Sequence, residues 1–316
     1  MTQNVRPKPL RLRQVEALCN RLPANHPKRV EIERERSIRR AGYRGELNVD
    51  YHLSFLPKNH RYTIIRDFRL KNLHHFQIDT LLISPFYSLI IEAKNIAGHL
   101  HIDPYTKQLI QNQEISYSNP INQAIRQQMQ LKEWLNKYKI KAFPIDYLVA
   151  FHEGNSMFST SKMDKRVFQK VIYADQIMTK MEGLEKTFRE EILMDKEIRR
   201  IHKLIIKNHE PLITNILDDY HITFSELIKG AQCPECYFLP MKRISGSWKC
   251  MKCQHSSKTA HIRAVEEFLL LNHCITNQQC REFLDLTSIH IAYQLLKNMN
   301  LQTVGKYKDR TYYFTV

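Results

Sequence analysis

The chain has 316 residues, 43% hydrophobic and 25% charged, with 48 lysines and arginines against 32 aspartates and glutamates, a formal net charge of +16. That length allows two or three compact units. No run approaches the roughly 18 apolar residues of a bilayer span, which excludes an integral helical membrane protein. The excess positive charge favours a polyanionic partner, nucleic acid ahead of an anionic membrane surface, with a merely basic surface as the bland alternative.

The basic opening stretch MTQNVRPKPLRLRQ has no apolar core of a secretory signal, so a cytoplasmic location is expected. Seven cysteines in so long a chain do not suggest a disulfide scaffold, since four of them form two CxxC pairs. In chain order, 1–40 read as a basic helical lead, with Val15, Leu18 and Leu22 at helical spacing. Residues 41–155 read as a mixed α/β unit with a small sheet. GELNVDYHLSFL suits a helix, YTIIRDFRL a strand, and 77–95 a strand hairpin. SNPINQAIRQQMQLKEWLNKYK is a helix capped by Asn119, with Pro120 at its first position and Ile125, Met129 and Leu135 on one face. FPIDYLVAF reads as a buried strand. Residues 156–230 form a linker, helical throughout from about Ser161.

The hairpin QIDTLLISPFYSLIIEAKN sets Asp79, Glu92 and Lys94 inside two apolar runs, where charges need partners or a metal. With the turn centred between Pro85 and Phe86, residue i faces residue 171 minus i. Asp79 then faces Glu92, and Gln77 faces Lys94, on one side of the sheet. A four-residue loop over Pro85–Ser88 sets Asp79 opposite Lys94 instead, still on that side, whereas an odd connection splits the set. Two close carboxylates repel unless a cation intervenes. Mg²⁺ or Mn²⁺ would resolve the conflict and keep waters that phosphate oxygens can replace. Lys94 could then orient or deprotonate water and stabilise developing negative charge, the equipment of phosphodiester hydrolysis. A buried Lys–carboxylate ion pair is the other reading of the same spacing.

D…ExK on a hairpin resembles the core motif of the PD-(D/E)xK nuclease superfamily. GELNVDYHL, QIDTLLIS, IIEAKNIAG and NPINQ, in that order over about 40–150, together resemble the nuclease-related domain, NERD. The resemblance implies a restriction-endonuclease-like mixed sheet flanked by helices. It implies metal ligation by Asp79 and Glu92, catalysis by Lys94, completion of the metal shell by Glu46, and a site-facing role for Gln123. Gln77 is a weaker candidate. Ile78 stands where a literal PD motif has proline.

Residues 231–258 carry Cys233, Cys236, Cys250 and Cys253, whose spacing suits a closed, structural zinc ribbon turning at Gly246. His255 is left out of the ligand set because four thiolates suffice. Lys242, Arg243, Trp248, Lys249 and Lys252 around it are either nucleic-acid contacts or a solvated face. Residues 259–316 read as helix, helix, turn, helix and a basic hairpin, the layout of a winged helix-turn-helix. Ser288, His290, Tyr293, Gln294 and Lys297 would form its recognition face, and Lys306, Lys308 and Arg310 its phosphate contacts. A protein-docking winged helix is the alternative. The whole reads as an Mg²⁺- or Mn²⁺-dependent nuclease targeted to DNA. An inactive DNA-binding or regulatory protein and an RNA nuclease remain the alternatives.

Overall fold

The computed structural model of the chain describes residues 6–57, 61–103, 105–154, 156–160 and 165–313, apart from the side chains of residues 166 and 308. The chain divides into two compact units, one of Met1–Pro7 with Arg39–Leu212, the other of Lys8–Ile38 with Ile213–Val316. Two helices come first, α1 (Leu10–Arg21) and α2 (Arg29–Leu53). The 25-residue α2 contains no proline and runs on past residue 40, so the expected limit between lead and nuclease-like unit falls inside a continuous helix.

The first unit is built on five strands. β1 (Thr63–Lys71), β2 (His75–Ile83) and β3 (Ser88–Lys94) form an antiparallel meander. A small second sheet follows from β4 (Gly98–Ile102), β5 (Leu109–Gln111) and β6 (Ile115–Tyr117). The helix α3 (Pro120–Lys137) then crosses back to β7 (Ile145–Phe151), which pairs parallel with β3. β8 (Ser156–Thr160) joins the small sheet. After α4 (Lys165–Lys170), β9 (Val171–Tyr173) pairs parallel with β7 and completes the order β1-β2-β3-β7-β9. The helices α5 (Ile177–Thr187) and α6 (Asp195–Lys207) end the unit. This mixed sheet flanked by helices agrees with the expected class. The stretch after residue 160 is not helical throughout, because the three residues VIY are too short to show a period and serve as an edge strand.

The central strands are apolar because both faces are covered. On one face Phe68, Ile78, Leu81 and Ile90 pack with Ile121, Leu131 and Trp134 of α3 and Ile198, Ile201 and Ile205 of α6. On the other, Leu82, Leu89, Ile91 and Leu148 meet Val49 and Leu53 of α2 and Ile177 and Met181 of α5. Such double burial gives near-continuous hydrophobic runs. Asn119 caps α3 by accepting from the Ile121 amide at 2.9 Å, with Pro120 at the first position as expected. The buried face of α3 differs from the expected one: it includes Ile121, Gln127, Leu131 and Leu135, while Met129 is 63% exposed. Met129 lies off the Ile121–Leu135 stripe, which admits a glutamine instead.

The second unit contains α1, then α7 (Ile216–Asp219) and the antiparallel strands β10 (Lys242–Ile244), β11 (Ser247–Lys249) and β12 (Ser256–Ser257). It continues through α8 (Ala260–Asn272), β13 (Cys274–Thr276), α9 (Asn277–Leu284) and α10 (Ile289–Lys297). The hairpin of β14 (Gln302–Val304) and β15 (Thr311–Tyr313) ends it, in the sheet order β13-β15-β14. Val15, Leu18 and Leu22 pack on Ile216, Leu217, Leu270 and Leu271, which is where the apolar stripe of the N-terminal stretch is used. Among the described residues no helix is long and apolar enough to cross a membrane.

Candidate active site and cysteine cluster

The β2–β3 ladder runs from Ile83↔Ser88 to Thr80↔Ile91, so the connection is the four residues 84–87, centred between Pro85 and Phe86. Ser84 closes it, accepting from the amides of Phe86 at 3.3 Å and Tyr87 at 3.1 Å and donating to the Tyr87 carbonyl at 2.8 Å. The connection is even, and continuing the ladder sets Asp79 opposite Glu92.

Glu92 is only 2% exposed, and its carboxylate is enclosed by donors. Lys94 donates to Glu92 Oε1 at 2.7 Å and to Gln123 Oε1 at 3.1 Å. Gln123 donates to the same Glu92 oxygen at 2.6 Å. Gln127 donates to Glu92 Oε2 at 2.7 Å and to the Gln77 carbonyl at 2.9 Å. The structure therefore brings Glu92, Lys94 and Gln123 together and adds Gln127, one turn further along α3 on the same face.

Asp79 accepts from the Ala93 amide at 3.1 Å. Burial, reinforced by the charges of Glu92 and Glu46 and only partly opposed by Lys94, holds its pKa well above the usual carboxylate range. Gln77 is not beside it. Asp67, at φ 44, lies between the pairs Arg66↔Thr80 and Phe68↔Ile78, and there the alternation of faces reverses. Ile78 and Leu81 consequently share one core. The exposed Gln77 side chain donates to Asp67 at 2.7 Å, which corrects its expected place beside Asp79.

Glu46 reaches the site from α2. Gly45 sits where a Cβ would lie 3.0 Å from the Asn95 Cβ and 3.5 Å from the Lys94 carbonyl carbon, so its missing side chain lets α2 approach the end of β3. Burial pushes Glu46 up to about 7, against the pull of Arg6. The Arg6 guanidinium, buried from solvent, lies 3.0 Å from Glu46 and 2.7 Å from Asp50. It also donates to the Asp79 carbonyl at 3.0 Å and Thr80 Oγ1 at 2.7 Å. Arg66 binds the other Asp50 oxygen at 2.7 Å. Arg6 lies 73 positions from Asp79 in a uniformly basic stretch, and no sequence signal distinguishes it from its neighbours.

A divalent cation suits the chemistry of this donor set, because three buried or half-buried acids converge with insufficient compensating charge. Their oxygens are not tightly gathered, however. Among the described residues only the four cysteines bring three or more potential ligand atoms within 4.8 Å of one another. Glu92 is turned toward Lys94 and two glutamines and Glu46 toward Arg6, leaving Asp79 as the least compensated acid.

The sulfurs of Cys233, Cys236, Cys250 and Cys253 do converge. Cys233 and Cys253 are 3.6 Å apart and Cys236 and Cys250 3.5 Å, close to the roughly 3.8 Å edge of a tetrahedron with zinc–sulfur bonds of about 2.3 Å. The two knuckles repeat one geometry. Cys233 donates its amide to Phe238 and Cys250 its amide to His255, each at 2.9 Å, and Tyr237 and Gln254 carry positive φ of 57° and 62°. The set can hold a structural metal such as zinc. Trp248 is wholly buried, packed under Arg243 at 5.2 Å, and belongs to the core rather than to a contact face.

Of the remaining candidates, Ser288 caps α10 by accepting from the Ile291 amide at 3.2 Å. Tyr293 lies under the Arg310 guanidinium at 5.7 Å. His290, Lys297 and Lys306 are exposed, Gln294 is half-buried, and the side chain of Lys308 lies outside the described residues.

No curated protein and no solved structure matches the chain. Residues 41–152 match the family model described as the nuclease-related domain, NERD, a segment that contains Glu46, the whole hairpin, Gln123 and Gln127. That match supports a nuclease-related function, with nucleic acid as the implied substrate, for the unit that carries the acidic hairpin.

Proposed function

We propose that the chain is an Mg²⁺- or Mn²⁺-dependent nuclease hydrolysing phosphodiester bonds, most directly those of DNA. The observation that carries this reading is that Asp79, Glu92 and Lys94 of one hairpin meet Gln123 of α3 within the nuclease-related segment. Asp79 and Glu92, with Glu46 beside them, are the residues that would hold the cation. When bound, the cation neutralises phosphate charge and lowers the pKa of water. Lys94, steadied by Glu92 and Gln123, presents its ammonium to the negative charge that develops on phosphate oxygens. Gln123 and Gln127 fix the rotamer of Glu92, and the apolar strands on either side limit water access.

In this reading 41–155 carries the nuclease chemistry, 156–212 completes the sheets and helices of the same unit, and 213–230 leads on to the cysteine knuckles. Residues 231–258 form a zinc ribbon on the four cysteines, and 259–316 a winged helix-turn-helix that delivers the enzyme to DNA. The succession α8, β13, α9, α10 and the β14–β15 hairpin supports the last assignment. His290 and Lys297 on α10 and Lys306 and Arg310 on the hairpin would meet the nucleic acid. The test is cleavage by purified full-length protein of labelled single-stranded DNA, duplex DNA and RNA, with Mg²⁺, Mn²⁺ or chelator. Chelator-sensitive DNA cleavage is expected, RNA-restricted cleavage would reassign the substrate, and no cleavage with either metal would overturn the activity.

A further inference from the structure

We infer that the outer face of α6 is a docking surface for the sugar–phosphate backbone of nucleic acid, a reading that rests on the proposed nuclease function and extends it beyond the matched segment. The helix packs Ile198, Ile201 and Ile205 into the core that also holds α3. Its other side carries Lys196, Arg199, Arg200, Lys203 and Lys207 at i, i+3, i+4, i+7 and i+11, all exposed. These five line one shallow hollow of about 350 Å³ together with Leu204. Its two acids are both in the first turn and both occupied. Asp195 pairs with Arg61 at 2.8 Å, and Glu197 accepts from the Met194 amide at 2.8 Å.

Among the described residues none of the five cations forms an ion pair. Among the described residues Arg200 alone of the five has a hydrogen-bond partner, the Tyr138 carbonyl at 2.9 Å. A solvated helix face ordinarily intersperses acids with bases, because like charges three and four residues apart repel. Here Asp195, already paired with Arg61, eases that repulsion at Arg199, while from Arg200 to Lys207 the helix carries no acid and its outer face is free to meet an anion. At 1.5 Å per residue the stripe is about 16 Å long. That is the span of about five phosphates on one strand of a duplex, which carries a charge every ~3.4 Å of axis. An anionic membrane is the weaker fit, since an interfacial helix needs its apolar face free, and this one is spent on the sheet.

The experiment replaces Lys196, Arg199, Lys203 and Lys207 by Gln in the full chain, sparing Arg200. A second variant replaces only Lys203 and Lys207, in case the fourfold change does not fold. Binding of labelled single-stranded and duplex DNA is measured in EDTA across a salt series, with vesicles of anionic and of neutral lipid as parallel arms. The fourfold variant is expected to bind at least tenfold more weakly at low salt. Its salt dependence, as the slope of log K on log [salt], should be shallower by about 3, and that of the twofold variant by about 1.5. Unchanged affinity and slope overturn the inference, as does binding to anionic vesicles rather than to DNA. Cleavage that persists with an unchanged slope removes the docking face but leaves the nuclease reading. The expected loss of binding, in a protein that cleaves nothing with either metal, does the reverse.

Discussion

Gln127 and Glu92 are joined by a 2.7 Å hydrogen bond between a helix amide and a strand carboxylate, both nearly excluded from solvent. The same amide nitrogen holds the Gln77 carbonyl, so one side chain fixes α3 to β2 and β3 at the acidic end of the hairpin. Gln127→Ala leaves a buried carboxylate oxygen without that donor. A loss of about 1–3 kcal/mol in unfolding free energy, read by urea denaturation, is expected. Cleavage should fall as well, because Glu92 is freed to turn.

Arg6 poses a larger test. All five of its N–H groups are aimed at Glu46, Asp50, the Asp79 carbonyl or Thr80. Arg6→Met takes a buried cation from Glu46 and leaves Asp50 with Arg66 alone, and removal of one partner from a buried pair costs about 3–5 kcal/mol. Arg6→Lys should recover only part of that loss, since an ammonium cannot span the same acceptors. An unchanged denaturation midpoint in Arg6→Met would show that the network is dispensable.

Glu46 gives the stability a pH dependence of definite sign. Its pKa is about 7 in the folded chain and near 4.5 when unfolded, so between those values the folded state binds the extra proton. Stability therefore falls as pH rises through that window, by an amount on the order of 3 kcal/mol at most. Metal-free Glu46→Gln should show a flatter profile between those values, measured by denaturation across pH.

Gly45 has no room for a branched side chain, because its Cβ position already meets Asn95 at 3.0 Å. Gly45→Val should force α2 away from the end of β3 and move Glu46 and Arg6 with it. Misplacement of about 1 Å can cost on the order of 100-fold in rate, so cleavage should drop steeply while α10 and the cysteine knuckles keep their structure.

The cysteine geometry predicts one zinc per chain, measured as metal content of the purified protein. Cys250→Ser, which removes a buried sulfur, should lose it and lower the unfolding temperature of the C-terminal unit. Full zinc content in that variant would contradict the four-thiolate site.

The hairpin was legible because parity is a strong constraint: once the turn is even, Asp79, Glu92 and Lys94 cannot be separated across the sheet. The cap of α3 was legible too, since Asn119 acts within two residues of itself. What escaped depends on distant chain. Arg6 owes its role to acids forty and more residues away, and Gln127 reads as one more polar helix residue until its strand partner is in place. Gln77 was misassigned because a single left-handed residue on the neighbouring strand, Asp67, reverses the alternation that period-two reasoning assumes.

The central claim is that Asp79 and Lys94 serve phosphodiester hydrolysis rather than a buried ion pair. The most direct measurement compares initial cleavage rates of wild type, Asp79→Asn and Lys94→Ala on one DNA substrate with Mg²⁺, alongside DNA affinity in EDTA. The account predicts a loss of at least 100-fold in rate for both variants with affinity within threefold of wild type. Rates equal to wild type in either variant would contradict it.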